Sequence, residues 1–447
     1  MSTRMPKVGL IPVSLAGERL DLAEQFASTA RASLVKRGLD LVGEGGLRLT
    51  GRDVLAAARA ARDQEADCLV YLVGTWISAP DVVTAMRQIA LPTVIWGIPE
   101  PASFSSVGAN VLHGSLDELG MKHKLVYGTP GDPETLDEVQ IFARAAMAVK
   151  ILDGSRFGLI GGRSIGMYPA TADPLQVKRV FGIEIEHLDQ LRLVDAARGT
   201  PDEEARPLYE EIKRTFGKIS VPDEVMVRSI KVYLALKRLV EEYEFDFIGV
   251  KCLEEVINTY TSCCLAIALI NDDGIVTACQ SDINAAIAMK VLNILTGQPA
   301  IFADVNMVDK AARVARLINC GTMPTSLARS RKDVDWGYQY EYMGRARGAC
   351  PTFCCKPGVV TFGAFSRIKG EYVMQIAGGE AFEEPKQVFA EVRDIWPQAF
   401  IRLDCDPGDF YHNLRSNHMV VGYGDVRQEL VDFCELVGVR PIVMAKR

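Results

Sequence analysis

From residue 7 to about residue 300 the chain repeats one pattern. A short, continuously apolar run stops at glycine or a charged residue and gives way to a stretch with apolar positions three and four residues apart. Residues 7–12 (KVGLIP), 68–74 (CLVYLVG) and 92–96 (PTVIW) are such runs, and residues 21–37, 80–90 and 136–152 carry the helical spacing. A strand that is apolar at every position is covered on both faces, as in a parallel sheet. Strands of that kind alternating with helices specify a doubly wound α/β layer. The pattern restarts with strands at residues 156–160 (RFGLI), 183–187 and 247–250 (FIGV) and helices at 174–181, 223–243 and 283–295. Pro174 suits the first turn of its helix, and Gly297 stands where the last one ends. Residues 265–271 (LAIALIN) are apolar up to the closing Asn271.

After about residue 320 the texture changes. Aromatic, glycine and β-branched residues gather in 359–365 (VVTFGAF) and 371–376 (EYVMQI), followed by a helix at 426–437. At roughly 150 residues per domain the length allows three. The expected architecture is two doubly wound, Rossmann-like α/β domains, residues 1–153 and 154–320, and a β-rich C-terminal domain, residues 321–447.

Composition narrows the function. A net charge of −7 and a pI of about 5.5, with no Lys/Arg block, speak against a nucleic-acid partner. No apolar run approaches the roughly 20 residues that span a bilayer, so no membrane partner is expected. Residues 8–17 are apolar after Lys7, but Pro12 interrupts them and no A-x-A-like site follows, which favours a buried first strand over a leader. The 11 cysteines are odd in number and scattered from Cys68 to Cys434; they read as reduced, mostly buried thiols of a cytoplasmic protein. Cys350, Cys354 and Cys355 lack a C-x-x-C pair, which disfavours a zinc site.

Three segments could carry chemistry. Residues 249–256 (GVKCLEEV) put Glu254 and Glu255 just past a strand, where open α/β sheets bind ligands. Residues 278–285 (ACQSDINA) put Asp282 just before a helix. Without further context these acids also read as a solvated helix start and a helix N-cap. His418, one of 5 histidines, lies in residues 416–425 (SNHMVVGYGD) beside Asn417 and a Gly-rich turn, which fits either a loop-borne site or a structural histidine. Residues 162–166 (GRSIG) match a G-x-S-x-G elbow around Ser164, but Pro169 follows too soon for a helix to begin at the serine. The glycines around it do not make G-x-G-x-x-G.

Taken together, residues 278–305 (ACQSDINAAIAMKVLNILTGQPAIFADV), 415–439, 158–168 (GLIGGRSIGMY) and 249–255 resemble, in order, segments of the L-fucose/L-arabinose isomerase superfamily, especially its shorter fucose isomerase-like members. The resemblance covers most of the chain. It implies a divalent-metal-dependent aldose–ketose isomerase that acts on an open-chain sugar or sugar derivative through an enediolate. By the family's pattern Glu255 (with Glu254 as the adjacent alternative), Asp282 and His418 hold Mn²⁺, or Mg²⁺ or Co²⁺, and Glu255 and Asp282 move the protons, a metal-assisted hydride shift being the other route the resemblance leaves open. It also implies sugar contacts from Asn417, and from Arg19 (AGERL) and Trp76 (GTWIS) of a neighbouring subunit in a homo-oligomer, a hexamer or trimer. The chain departs from the family at Gln280, more often acidic there, and at Leu253, more often aromatic. Two alternatives follow: a non-catalytic sugar-binding relative, and a serine hydrolase acting through Ser164.

Overall fold

The computed structural model describes residues 4–339, 347–388 and 396–445. They divide into two compact units. One holds residues up to 151 together with 431–437; the other holds 152–430 and the chain from 438 onward.

In the first unit five parallel strands, β1 (Lys7–Val13), β2 (Asp40–Val42), β3 (Cys68–Val73), β4 (Thr93–Gly97) and β5 (Lys124–Tyr127), lie in the order β2-β1-β3-β4-β5. Every residue of β3 is buried, which is why its sequence is an unbroken apolar run. Its side chains alternate between two cores. Leu69, Tyr71 and Val73 pack with Val54, Val82 and Leu112 of the helices on one face. Cys68, Val70 and Leu72 pack with Leu34, Trp96 and Phe142 on the other. Each fully buried Val or Leu contributes about 1.5–3 kcal/mol relative to exposure. The helices Leu20–Lys36, Ala79–Gln88 and Pro133–Leu152 match the expected ones within a few residues. Two more, Gly51–Asp63 and Ser105–Glu118, carry weak apolar signals: the first is alanine-rich and the second contains two glycines.

The second unit combines a parallel sheet and a barrel. The sheet is β6 (Arg156–Ile160), β7 (Glu184–Leu188), β8 (Phe247–Val250) and β9 (Thr277–Cys279), in the order β7-β6-β8-β9. The apolar run near residue 265 is a helix, Cys264–Asp272, buried along almost its whole length. The helix Ile283–Thr296 begins at Asp282, whose Oδ1 accepts from Ala285 N at 2.9 Å, and ends at Gly297, which takes the left-handed φ of 69°.

The β-rich part is a closed ring. Strands β10 (Ile301–Asp309) and β11 (Val314–Ile318) form a hairpin, and β12 (Asp335–Tyr338) pairs with β13 (Ala349–Thr352) in a small separate ladder. Then β14 (Gly358–Ile368), β15 (Glu371–Phe382), β16 (Gln398–Leu403), β17 (His418–Tyr423) and β18 (Arg440–Val443) follow. The order is β14-β17-β10-β11-β16-β15-β18, and β14 also pairs with β15, which closes six strands on themselves. The ring takes in β10 and β11, which precede residue 321. Closure removes the free edges of an open sheet.

Candidate functional site

Both parallel sheets reverse their strand order beside the first strand, and a crevice opens outside the strands' carboxyl ends at such a point. In the second unit the reversal lies between β6 and β8. The loop after β6 carries Gly161–Arg163–Ser164, the loop after β8 carries Lys251 and Glu255, and β9 alongside leads into Asp282. In the first unit it lies between β1 and β3, whose following loops carry Arg19 and Trp76.

Asp282 and His418 meet. Asp282 Oδ2 is 2.7 Å from His418 Nδ1, with the two side chains 2% and 1% exposed. Asp282 is thus both the helix N-cap and the partner of the imidazole. The turn that aims it is strained: Gln280 and Ser281 stand consecutively at φ of 60° and 55°. Each left-handed non-glycine residue costs about 1–2 kcal/mol, and such strain gathers where surrounding structure imposes a functional geometry. Ser281 Oγ donates to Ile160 O at 3.1 Å and ties the turn to the end of β6.

His418 does not sit in a loop, as its glycine-rich surroundings suggested. It opens β17, paired with Asp304 of β10, because the apolar residues 419–421 that follow it enter the barrel wall. Its ring packs against Phe302, centroids 4.3 Å apart. Burial alone would push the imidazole down. Asp282, Asp304 and Cys320 outweigh it, and the net direction is up.

Glu255 stands apart from that contact. It begins the short helix Glu255–Thr259, is half exposed, and accepts from Lys251 Nζ at 2.7 Å; Gln190 Nε2 is 3.4 Å away. Partial burial works to raise its carboxyl, but the hydrogen bonds from Lys251, its own backbone amide and Gln190 together outweigh it and hold it below the usual range. Glu254, just before it, is exposed at φ 78° and makes no capping bond.

Asp304 escaped the sequence reading. It lies inside the matched segment 278–305, but an acid at a strand position carries no spacing signal. Its Oδ1 accepts from Asn417 Nδ2 at 2.7 Å and lies 3.9 Å from His418 Nε2; burial pushes its carboxyl up. Asn417 is therefore engaged with Asp304. In the first unit Arg19 is exposed and forks onto Asp21 at 2.8 and 2.6 Å, while Trp76 is half-buried.

A family model described as L-fucose isomerase, C-terminal domain, matches residues 317–445, which include His418 and most of the barrel. Sulfoquinovose isomerases from Clostridium sp. (strain MSTE9), Alkalicoccus urumqiensis and Priestia aryabhattai are 23%, 22% and 21% identical to this chain. These matches span 81%, 76% and 82% of the chain and 83%, 78% and 83% of the relatives. Both findings support the resemblance to the L-fucose/L-arabinose isomerase superfamily, the family model over the C-terminal part of the chain and the relatives over most of its length. Among solved structures, GanP, a glucose-galactose binding protein from Geobacillus stearothermophilus, aligns over 66% of this chain and 92% of its own at 16% identity, with a TM-score of 0.18.

Asp282 and His418 are donors of a kind that holds a divalent cation, but Glu255 does not gather with them: among the described residues the three such donors brought together are His113, Asp117 and His123. His418 Nε2 is buried without a hydrogen-bond partner among the described residues. Such an orphan costs roughly 1–3 kcal/mol unless a bound group satisfies it. Two carboxylates and one imidazole favour Mn²⁺ or Mg²⁺ over a thiophilic metal. Asp282 and His418 already touch, whereas Glu255 is turned to Lys251. The cysteines form no disulfide: all 11 are free. Cys279 and Cys320 place their sulfurs 3.9 Å apart close by. Ser164 Oγ is fully buried and has no hydrogen-bond partner among the described residues, so no base stands ready to activate it as a nucleophile. Ile165 takes φ 33° and the next α-helix starts at Pro174, so the chain does not form the strand–turn–helix of a nucleophile elbow there.

Proposed function

We propose that this chain is a divalent-metal-dependent aldose–ketose isomerase with Glu255, Asp282 and His418 as metal ligands. The isomerase class is that of the superfamily it resembles and of its relatives. The observation that carries the metal reading is the buried Asp282–His418 contact with His418 Nε2 left without a hydrogen bond among the described residues. All three relatives are named for sulfoquinovose, a glucose whose C6 hydroxyl is replaced by a sulfonate. We extend that substrate class to this chain.

The reaction moves a hydrogen between C2 and C1. When bound, Mn²⁺ would polarise the carbonyl and steady the negative charge that develops on the two oxygens. Glu255, kept ionised by Lys251, takes the proton from C2. That proton, or one exchanged for it, returns to C1, while O1 gains and O2 loses a proton, so the product differs from the substrate only in where the hydrogens sit. Asp282 handles the proton on the oxygen side, held in place by the helix it caps. A well-placed acid–base group contributes about 10²–10⁴-fold. Asn417 would hydrogen-bond a hydroxyl, and Arg19 and Trp76 would come from another subunit of a homo-oligomer.

The deciding experiment follows ketose formation from a panel of aldoses after EDTA treatment and after Mn²⁺ addition. The reading expects activity to vanish and return. Ketose formation that survives exhaustive chelation removes the metal, and sugar-dependent thermal stabilisation without turnover of any aldose supports the alternative of a non-catalytic sugar-binding relative.

A further inference from the structure

The loop after β6, residues 161–167, is not used by the proton-moving residues, yet the fold binds it to them on two sides. Gly161 packs so closely on the neighbouring loops that a Cβ there would lie 2.8 Å from Lys251 Cβ and 2.9 Å from Gln190 Cδ. Lys251 and Gln190 are the groups that approach Glu255. On the other side Asn284, two residues past Asp282, donates to Pro169 O at 2.6 Å and to Thr171 O at 3.3 Å, and Ser281 holds Ile160 O. The loop is therefore fixed between the two carboxylates at the sheet's reversal point.

Two cations stand in the loops after β6 and β8. Lys251 is held by Glu255 at 2.7 Å. Arg163 is exposed, has no carboxylate partner among the described residues, and rests its guanidinium 4.4 Å from the centroid of the Tyr168 ring, itself 75% exposed. A Cβ at Gly162 would meet nothing within 4 Å, so the space beside Arg163 is open. Beside it Ser164 Oγ is buried and unsatisfied. An unpaired arginine propped on an aromatic face in the loop beside the sheet's reversal point offers a planar fork of donors to an oxyanion.

We infer that Arg163 is a specificity-determining residue that binds an anionic group, a sulfonate, at the far end of the sugar. This rests on the isomerase reading above. It accounts for a cation without a counter-charge in a loop otherwise built from glycine, serine, isoleucine and methionine.

The test compares kcat/KM for 6-deoxy-6-sulfonato-glucose with that for 6-deoxyglucose, in the wild type, in Arg163→Gln and in Arg163→Lys. Because the readout is a ratio within one protein, partial misfolding cancels. The wild type favours the sulfonated sugar. Losing a charge-assisted hydrogen bond of this kind lowers that ratio about 10–100-fold in Arg163→Gln, mainly through KM, and Arg163→Lys recovers part of it. An unchanged ratio in Arg163→Gln, or a wild type that prefers the neutral sugar, overturns the assignment and leaves the isomerase standing. Faster turnover of glucose 6-phosphate than of the sulfonate also overturns it. If the wild type converts none of these sugars, nor any aldose, the isomerase reading falls and this inference with it.

Discussion

Asp282 gives one carboxylate oxygen to Ala285 N and the other to His418 Nδ1, so a single buried side chain both starts a helix and fixes a ring on the barrel wall. Asp282→Ala removes both functions. The lost cap costs about 1 kcal/mol, and stripping one partner from a buried pair costs about 3–5 kcal/mol. Asp282→Asn keeps an acceptor for the cap and is milder. Differential scanning fluorimetry should rank Tm as wild type, then Asn, then Ala. Isomerase activity should be lost in both variants and in His418→Ala, with or without added Mn²⁺.

His418 gives a pH dependence with a definite sign. In the metal-free chain its folded pKa lies above the ordinary value of about 6.5. The charged pair with Asp282 therefore stabilises the fold fully below pH 6.5, and the contribution fades as pH rises through the folded pKa. An ion must displace the proton, so Mn²⁺ affinity rises with pH over the same interval. Calorimetric Mn²⁺ titrations at pH 6 and pH 8 should show the tighter binding at pH 8, with proton release that depends on the buffer.

Lys251 is the largest of the groups that favour the ionised form of Glu255. Replacing it by Met leaves burial unopposed by that hydrogen bond, and the carboxyl moves up. If Glu255 is the base, the acid limb of the kcat/KM profile moves to higher pH in Lys251→Met. A limb that stays in place would assign the base elsewhere.

Gly161 has φ 87° and almost no room for a Cβ. Gly161→Ala adds left-handed strain of about 1–2 kcal/mol and pushes on Lys251 and Gln190. We expect a lower Tm and a reduced kcat, whereas Gly154→Ala, also at positive φ (85°) but with open space around it, should show the strain in Tm alone.

Much of this was readable from the sequence, for local reasons. β6 and β8 fall on the expected residues because a strand buried on both faces must be apolar throughout. The helix after Asp282 begins and ends where its cap and Gly297 dictate. What depends on distant partners was not readable. Nothing local marks that β14 pairs with both β15 and β17, and that double pairing turns a run of strands into a ring. The strand position of His418 was hidden by the glycine and asparagine around it, and Asp304 became visible only when its register placed it opposite His418. For Glu255 the lysine four residues earlier was in plain sight, but not the turn that leaves Glu255 half exposed beside it.

The ring of β10, β11, β16, β15, β14 and β17 also bears on how the protein opens. A histidine at the end of a wall strand opens only when the wall opens. The backbone amides that β17 commits to its ladders with β10 and β14 belong among the slow class in hydrogen exchange. The loops after β6 and β8 have no such ladder, so a descendant chain is free to acquire a new sugar preference by rewriting them while the histidine stays where it was.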